Sequence, residues 1–308
     1  MDPRLKNLSY SSLLLLHSCP RKYQLQKLNV SSSEDDEDLS SSSSVTFAFG
    51  HIVGDGIQKV FEGYTEDQIF WSEFLMWDAD LFAYNDKQKK SYWLGMLAIQ
   101  KFIELRNNGF LDEYELVYHE GKPAVELGFC ITFPDGFKLR GYVDAVLRHK
   151  ITGEIVVLEC KTTSATNLNA AQYKNSAQGV GYSVVLDDIF PELSSYQVLY
   201  LAYKTKSFEY ELFPFTKSYL QRALWIQETL LDIETIKLYE SAGVYPMHGE
   251  SCLAFYRECG YYGICTLSTE HLTSQLTIEG EAKLVEDNMK YQVQLTLQDL
   301  INSQLSKA

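Results

Sequence analysis

Gly141-Tyr-Val-Asp144-Ala-Val-Leu-Arg-His149-Lys-Ile-Thr-Gly153-Glu154-Ile-Val-Val-Leu-Glu159-Cys160-Lys161-Thr-Thr163 is the stretch on which the reading of this chain turns. Two β-branched, apolar runs flank Lys150 to Gly153, a turn-forming sequence, so a hairpin is predicted. Closing the hairpin there pairs His149 with Glu154, and the same register sets Asp144 opposite Glu159. Carboxylates facing each other across an antiparallel pair have Cβ atoms about 4.5–5.5 Å apart and repel. Both are flanked by apolar residues, so the repulsion is poorly screened, and a divalent cation would relieve it. Strand alternation puts Glu159 and Lys161 on one face and Cys160 on the other. Two acids for Mg²⁺ or Mn²⁺ and a lysine near the attacking water are the parts of a phosphodiester hydrolase. The same residues also suit a hairpin whose charges merely face solvent.

Outward from the hairpin, helical periodicity covers Phe47 to about Asn107, with Trp71, Phe74, Trp77, Leu81, Trp93, Leu97 and Phe102 spaced for buried faces. Further strands are predicted over 116–120, 124–133, 196–204 and 208–215. A helix is predicted from about Asn169 to Leu186 and a long one over 217–242. Near the N-terminus, a helix begins at Ser9, breaks at Cys19-Pro20 and resumes with Arg21, Lys22 and Lys27. Residues 31–44 combine serines with five acids and one leucine, a composition expected of a disordered linker. The expected fold is α/β, a central mostly antiparallel or mixed sheet flanked by helices. Its expected parts are an N-terminal segment 1–30, the linker 31–44, one core over 45–245, a three-cysteine loop over 246–268 and a polar tail over 269–308.

The 308 residues carry 27 Lys and Arg against 41 Asp and Glu, a formal charge of −14, which excludes a uniformly basic nucleic-acid coat. Any DNA contact must be local. Lys138, Arg140, Arg148 and Lys150, with Arg21, Lys22 and Lys27, are the available phosphate partners, and Tyr173, Tyr182, Tyr261 and Tyr262 are candidates for stacking on bases. No run approaches the roughly 18 apolar residues of a membrane span, and the burst Leu13–Leu16 is too short for a secretory signal. An intracellular protein without a membrane partner is expected. Six cysteines without dense spacing then point to metal binding, packing or redox chemistry rather than a disulfide scaffold. Cys252, Cys259 and Cys265 fall in one loop, and with Cys19 they make four soft ligands for an iron–sulfur cluster or a zinc ion. Cys130 and Cys160 read as small apolar groups within strands.

Gly141-x-x-Asp144, followed by Glu159-x-Lys161 at the end of an apolar strand, resembles the core of the PD-(D/E)XK nuclease superfamily. Gln178-Gly-Val-Gly-Tyr182 on the next helix matches the Gln-x-x-x-Tyr motif of its RecB-type branch, two residues that share a helix face. The resemblance implies a restriction-endonuclease-like core in which Asp144, Glu159 and the Cys160 main-chain carbonyl bind Mg²⁺ or Mn²⁺. Lys161 would assist water, and Gln178 and Tyr182 would position DNA. Glu126 lies where this branch often carries an acid. The branch usually has a histidine ligand four residues after a glycine on the first core helix, but here Gly54 stands four residues after Gly50. His51, one turn earlier, or Asp55 would substitute, or the ligand is missing.

One group of these nucleases, including CRISPR-adaptation exonucleases, places one cysteine before the core and three after it around a [4Fe–4S] cluster. Cys19, Cys252, Cys259 and Cys265 follow that order, although the six-residue gap departs from its spacing and keeps structural Zn²⁺ open. The resemblance implies a DNA exonuclease acting on single-stranded ends, endonuclease activity not excluded, in recombination or repair. With no Gly-x-x-x-x-Gly-Lys-Ser/Thr loop for ATP, a separate helicase or recombinase would open the strand. Oligomeric assembly is left open. The alternative is a non-catalytic DNA-binding or recombination scaffold with a decayed metal site.

Overall fold

The computed structural model describes residues 1–28, 37–85, 87, 89–166, 168, 170–190, 196–254, 257–266 and 292–299. In chain order its main elements are α1 (Tyr10–Ser18), α2 (Pro20–Lys27), α3 (Glu37–Glu62), α4 (Glu66–Met76) and α5 (Tyr92–Asn107). Then come β1 (Tyr114–Leu116), β2 (Val125–Thr132), β3 (Lys138–His149), β4 (Ile155–Thr163), α6 (Ala171–Lys174) and α7 (Ala177–Ile189). The series closes with β5 (Tyr196–Lys204), β6 (Glu209–Lys217), α8 (Tyr219–Ala242) and β7 (Gln292–Thr296). The fold is mixed α/β, with a central multi-stranded sheet and flanking helices.

Two compact units divide the chain. A terminal unit takes the described residues of Met1–Glu37, Gly128–Gly141 and Ala223–Ala308, and an inserted unit takes Asp38–Leu127 and Tyr142–Arg222. The division cuts across the single core expected over 45–245, because local periodicity does not report which distant segments pack together.

In the terminal unit, Ser9 caps α1: its Oγ accepts from the Ser12 N–H at 3.2 Å while the Ser9 N–H donates to Ser12 Oγ at 2.8 Å. Pro20 opens α2, a position where its missing N–H costs nothing. The Tyr23 hydroxyl donates to the Leu5 carbonyl at 2.8 Å, tying α2 to the start of the chain. The polar tail contains a strand that its weak periodicity hid: β7 runs parallel to β2, pairing Gln292–Thr296 with Gly128–Thr132. Residues 267–291 and 300–308 lie outside the described set.

The inserted unit is built on β3, β4, β5 and β6 in that order, with β1 on the far side of β3. The hairpin register is the one the sequence predicts: Ala145 pairs with Leu158 and Arg148 with Ile155, and the His149 N–H donates to the Glu154 carbonyl at 2.8 Å. β4 and β5 are parallel, joined through α6 and α7, so the sheet is mixed rather than mostly antiparallel. The expected single helix from Asn169 is two, broken near Asn175 and Ser176.

Apolar residues of α3, α4 and α5 pack on the inward face of this sheet. Phe49, Ile52, Val53, Ile57, Ile69, Ile99 and Phe102 meet Ala145, Leu147, Val156, Leu158, Leu199 and Leu201 in one core. Of the residues predicted as buried, Trp77, Leu81 and Phe102 are and Leu97 is half-buried, but Trp71 and Trp93 are 64% and 68% exposed and Phe74 is also exposed. A helix turns one stripe inward. On α4 that stripe is Ile69 and Glu73, leaving Trp71 and Phe74 stacked on one another at 5.8 Å. The linker expectation also changes. Residues 31–36 lie outside the described set, whereas 37–44 form the first turns of α3, since extending a helix already anchored at Val45–Glu62 costs far less than nucleating one.

Candidate functional site

Strands β2, β3 and β4, neighbours in the sheet, bring together the side chains on which the chemistry rests. The regular β3–β4 ladder runs to Ala145 and Leu158, and one step further on are Asp144 and Glu159. There the Cys160 N–H donates to Asp144 Oδ2 at 2.8 Å, which holds this carboxylate against the end of β4. Glu159 is only 1% exposed; its Oε1 pairs with the Lys161 ammonium, while its Oε2 is buried without a hydrogen-bond partner among the described residues. Such an oxygen costs free energy unless something positive meets it.

Lys161 Nζ also donates to Gln178 Oε1 at 3.0 Å, and Gln178 Nε2 donates to the Tyr182 hydroxyl at 2.5 Å. The helix pair and the strand lysine thus form one hydrogen-bonded chain starting at Glu159. α7 approaches closely because residue 179 is glycine: a Cβ there would lie 2.2 Å from the Tyr200 hydroxyl. Lys217 keeps the entry to α7 in place. Its buried ammonium donates to the carbonyls of Tyr173 at 3.1 Å and Lys174 at 2.6 Å, at the end of α6, and burial pushes its pKa down to about 8.

The electrostatics follow from burial and like charge. Burial, then the Glu159 and Glu126 charges, pushes the Asp144 carboxyl well above the usual range, against the pull of Lys161 and the Cys160 amide. Glu159 is also raised, mainly by burial, and Lys161 and Tyr182 partly offset this. Burial alone would lower Lys161, but Glu159 and Asp144 outweigh it and leave the ammonium more firmly protonated than usual.

The structure brings together Asp144, Glu159, Cys160, Lys161, Gln178 and Tyr182. It does not bring His51 to them: His51 is exposed, and its ring lies 5.4 Å from Phe47 on the preceding turn. Asp55 is engaged elsewhere, paired with Lys59 and interacting with Glu73. The α3 residue that reaches the acids is Gln58, whose Nε2 donates to Glu126 Oε1 at 2.7 Å. Residue type hid it, since glutamine on a helix is ordinarily a surface residue.

Other contacts predicted for DNA are spent on the fold. Tyr173 and Tyr182 are buried, the former 4.9 Å from Tyr200. Arg21 donates to the Cys265 carbonyl at 2.9 Å, Lys27 to the Asn7 carbonyl, and Lys150 to the Asp112 carbonyl at 2.6 Å. Lys138 and Arg148 are exposed.

In the terminal unit, Cys19, Cys252, Cys259 and Cys265 line one pocket with Arg21, Lys22, Tyr261 and Tyr262. Burial and then the charges of Cys259, Cys265 and Cys19 push the Cys252 thiol up. All six cysteines are free thiols, and Cys160 packs on the core of the inserted unit. Among the described residues no group of three or more His, Cys, Asp or Glu is arranged so that it could hold a metal ion. At the strand site, two carboxylates with an unsatisfied buried oxygen nonetheless fit Mg²⁺ or Mn²⁺, hard cations that take oxygen donors; Mg²⁺ is usually held by one or two carboxylates and retains water. Among the described residues no helix is long and apolar enough to cross a membrane.

No curated protein matches the chain by sequence. Among solved structures it is similar to a candidate exonuclease from Eubacterium rectale, at 14% identity and a TM-score of 0.48, over 80% of this chain and 86% of that one. It is also similar to the protein SSO0001, at 13% identity and a TM-score of 0.31, over 75% and 76% of the two chains. Residues 7–266, most of the chain and all of the residues described around both sites, match the model of the PD-(D/E)XK nuclease superfamily, and the chain belongs to that superfamily.

Proposed function

We propose that this nuclease is a Mg²⁺- or Mn²⁺-dependent DNA exonuclease of the RecB-like branch that acts on single-stranded ends. The observation carrying the reading is the pair Asp144 and Glu159, half-buried and buried, with one Glu159 oxygen lacking a hydrogen-bond partner among the described residues. Asp144 and Glu159, with the Cys160 main-chain carbonyl, would hold the cation, which when bound lowers the pKa of water and polarises the phosphate. Lys161 keeps its proton, so it acts as a hydrogen-bond donor to water or phosphate and stabilises developing negative charge rather than taking a proton. Gln178 holds Lys161 in place, and Tyr182 holds Gln178. A separate helicase or recombinase would supply the open strand. The four thiols of the terminal unit would hold a [4Fe–4S] cluster in a structural role, with Zn²⁺ as the other ion of suitable softness.

Degradation of end-labelled single strands with and without Mn²⁺ tests the activity. Lys161→Ala should abolish cutting and retain DNA binding; a parent protein that binds DNA but shows no metal-dependent cutting would instead make it a scaffold. Equal single-turnover cutting of closed circles and linear strands would overturn the preference for ends. Anaerobically purified protein with a broad visible absorption band, lost in Cys252→Ser, supports the cluster, and colourless protein with stoichiometric zinc replaces it.

A further inference from the structure

Gln58 is 2% exposed and sits on α3 with its two amide ends in different situations. The NH₂ faces Glu126, as it must, because a carboxylate accepts and does not donate. The carbonyl Oε1 is buried without a hydrogen-bond partner among the described residues. Glu126 itself has φ +47°, a left-handed conformation at the second residue of strand β2 that costs a non-glycine residue on the order of 1 kcal/mol. Its charge acts on both Asp144 and Glu159.

The course of α3 explains the arrangement. A Cβ at Gly50 would lie 3.5 Å from Thr162 Oγ1 on β4, and Gln58 touches β2, so the helix crosses from β4 to β2. Eight residues of helix rise about 12 Å, close to the roughly 9.6 Å that separates alternate strands. Gly54, midway on the same helix face, therefore stands over β3, the strand of Asp144. A Cβ there meets nothing within 4 Å, so that space is open.

We infer that Gln58 is the helix-borne member of the metal site: its amide positions Glu126 beside the acid pair, and its unpartnered carbonyl oxygen holds a water of the bound cation across the gap left by Gly54. The inference rests on the proposed binding of a divalent cation by Asp144 and Glu159. Gln58 is a positioning residue, and a mere staple between α3 and β2 would not change metal affinity.

The test is Mn²⁺ titration without DNA, followed by loss of the free-ion electron paramagnetic resonance signal. Gln58→Ala and the volume-conserving Gln58→Met should each weaken Mn²⁺ binding about 10–100-fold, as loss of outer-shell partners does. Adding Gly54→His to Gln58→Met should restore affinity by filling the gap with a ligand. Unchanged Mn²⁺ affinity in a folded Gln58→Met protein, with binding abolished in Glu159→Ala, overturns this inference alone. Unchanged affinity in Glu159→Ala overturns the metal reading of the site and this inference with it.

Discussion

The inserted unit holds two acid pairs, each with one buried glutamate, one half-buried aspartate and a lysine beside it, and neutralises them differently. On α3 and α4, Lys59 reaches between its acids: it pairs with Asp55 one turn earlier on its own helix and with Glu73 at 2.8 Å, and donates to Ser72 Oγ at 2.8 Å. Burial, then the neighbouring Asp55 carboxyl, pushes Glu73 up to about 8, against the pull of Lys59. Near neutral pH a protonated Glu73, Lys59 and Asp55 make a neutral group, although Glu73 Oε2, like Glu159 Oε2, has no hydrogen-bond partner among the described residues. On β3 and β4, Lys161 pairs with Glu159 and also donates to Gln178, while Asp144 accepts from the Cys160 N–H and, among the described residues, makes no ion pair of its own. The same residue types form an internal ion cluster where a helix lets the lysine bridge. Under the proposed function, they would hold a cation where a sheet carries the acids and a second helix takes the lysine.

The largest expected difference between the two trios lies in catalysis. Glu159→Gln should slow single-turnover cleavage with Mn²⁺ by about 10³-fold, roughly 4 kcal/mol, whereas Glu73→Gln should leave it within about tenfold. Comparable losses in both would erase the distinction. Lys59→Met leaves two acids buried without their cation and should destabilise the protein by about 3–5 kcal/mol in urea unfolding; a loss under about 1 kcal/mol would mark the trio as solvated.

The closed trio also has a pH signature. Glu73 titrates higher in the folded protein than in the unfolded chain, so the folded state binds the extra proton between about pH 4.5 and 8. Its contribution is therefore fully present below that window and is lost as pH rises through it. Chemical unfolding across this range should show stability falling with pH, and Glu73→Gln should flatten that dependence. The smallest effect concerns the open pair. With chelator present, Asp144→Asn should raise the unfolding free energy by about 1 kcal/mol, because it removes like-charge repulsion while Asn can still accept from the Cys160 amide. A drop in the melting temperature would mean that the acids are not in conflict.

The cysteine pocket adds a third arrangement. Cys19 precedes α2, and Cys252 and Cys259 flank a short antiparallel pair, Leu253 and Ala254 with Arg257 and Glu258, where the Cys259 N–H donates to the Cys252 carbonyl at 2.8 Å; Arg21 bonds the Cys265 carbonyl at 2.9 Å. Main-chain geometry thus places two of the thiols as it places the acids, although among the described residues no group of three or more His, Cys, Asp or Glu could hold a metal ion.

Period-two alternation and a turn sequence were enough to set the hairpin register and hence the meeting of Asp144 and Glu159, because strand pairing propagates residue by residue from the turn. The i, i+4 spacing of Gln178 and Tyr182 was likewise legible, since it depends on helix geometry alone. The capping of α1 by Ser9 is equally local. What the chain order did not reveal was the packing of α3 on the sheet, which made Gln58 rather than His51 the residue bonded to Glu126 and left Trp71 and Trp93 facing solvent. It also hid the strand in the C-terminal tail and the division into two units. These are consequences of which distant surfaces pack together, and no local period encodes them. Sequence by itself determined which groups carry charge and how each element repeats; only tertiary packing decided which charges are closed off by a bridging lysine and which stay open to an ion, because burial and the placing of a counter-charge depend on neighbours far away along the chain.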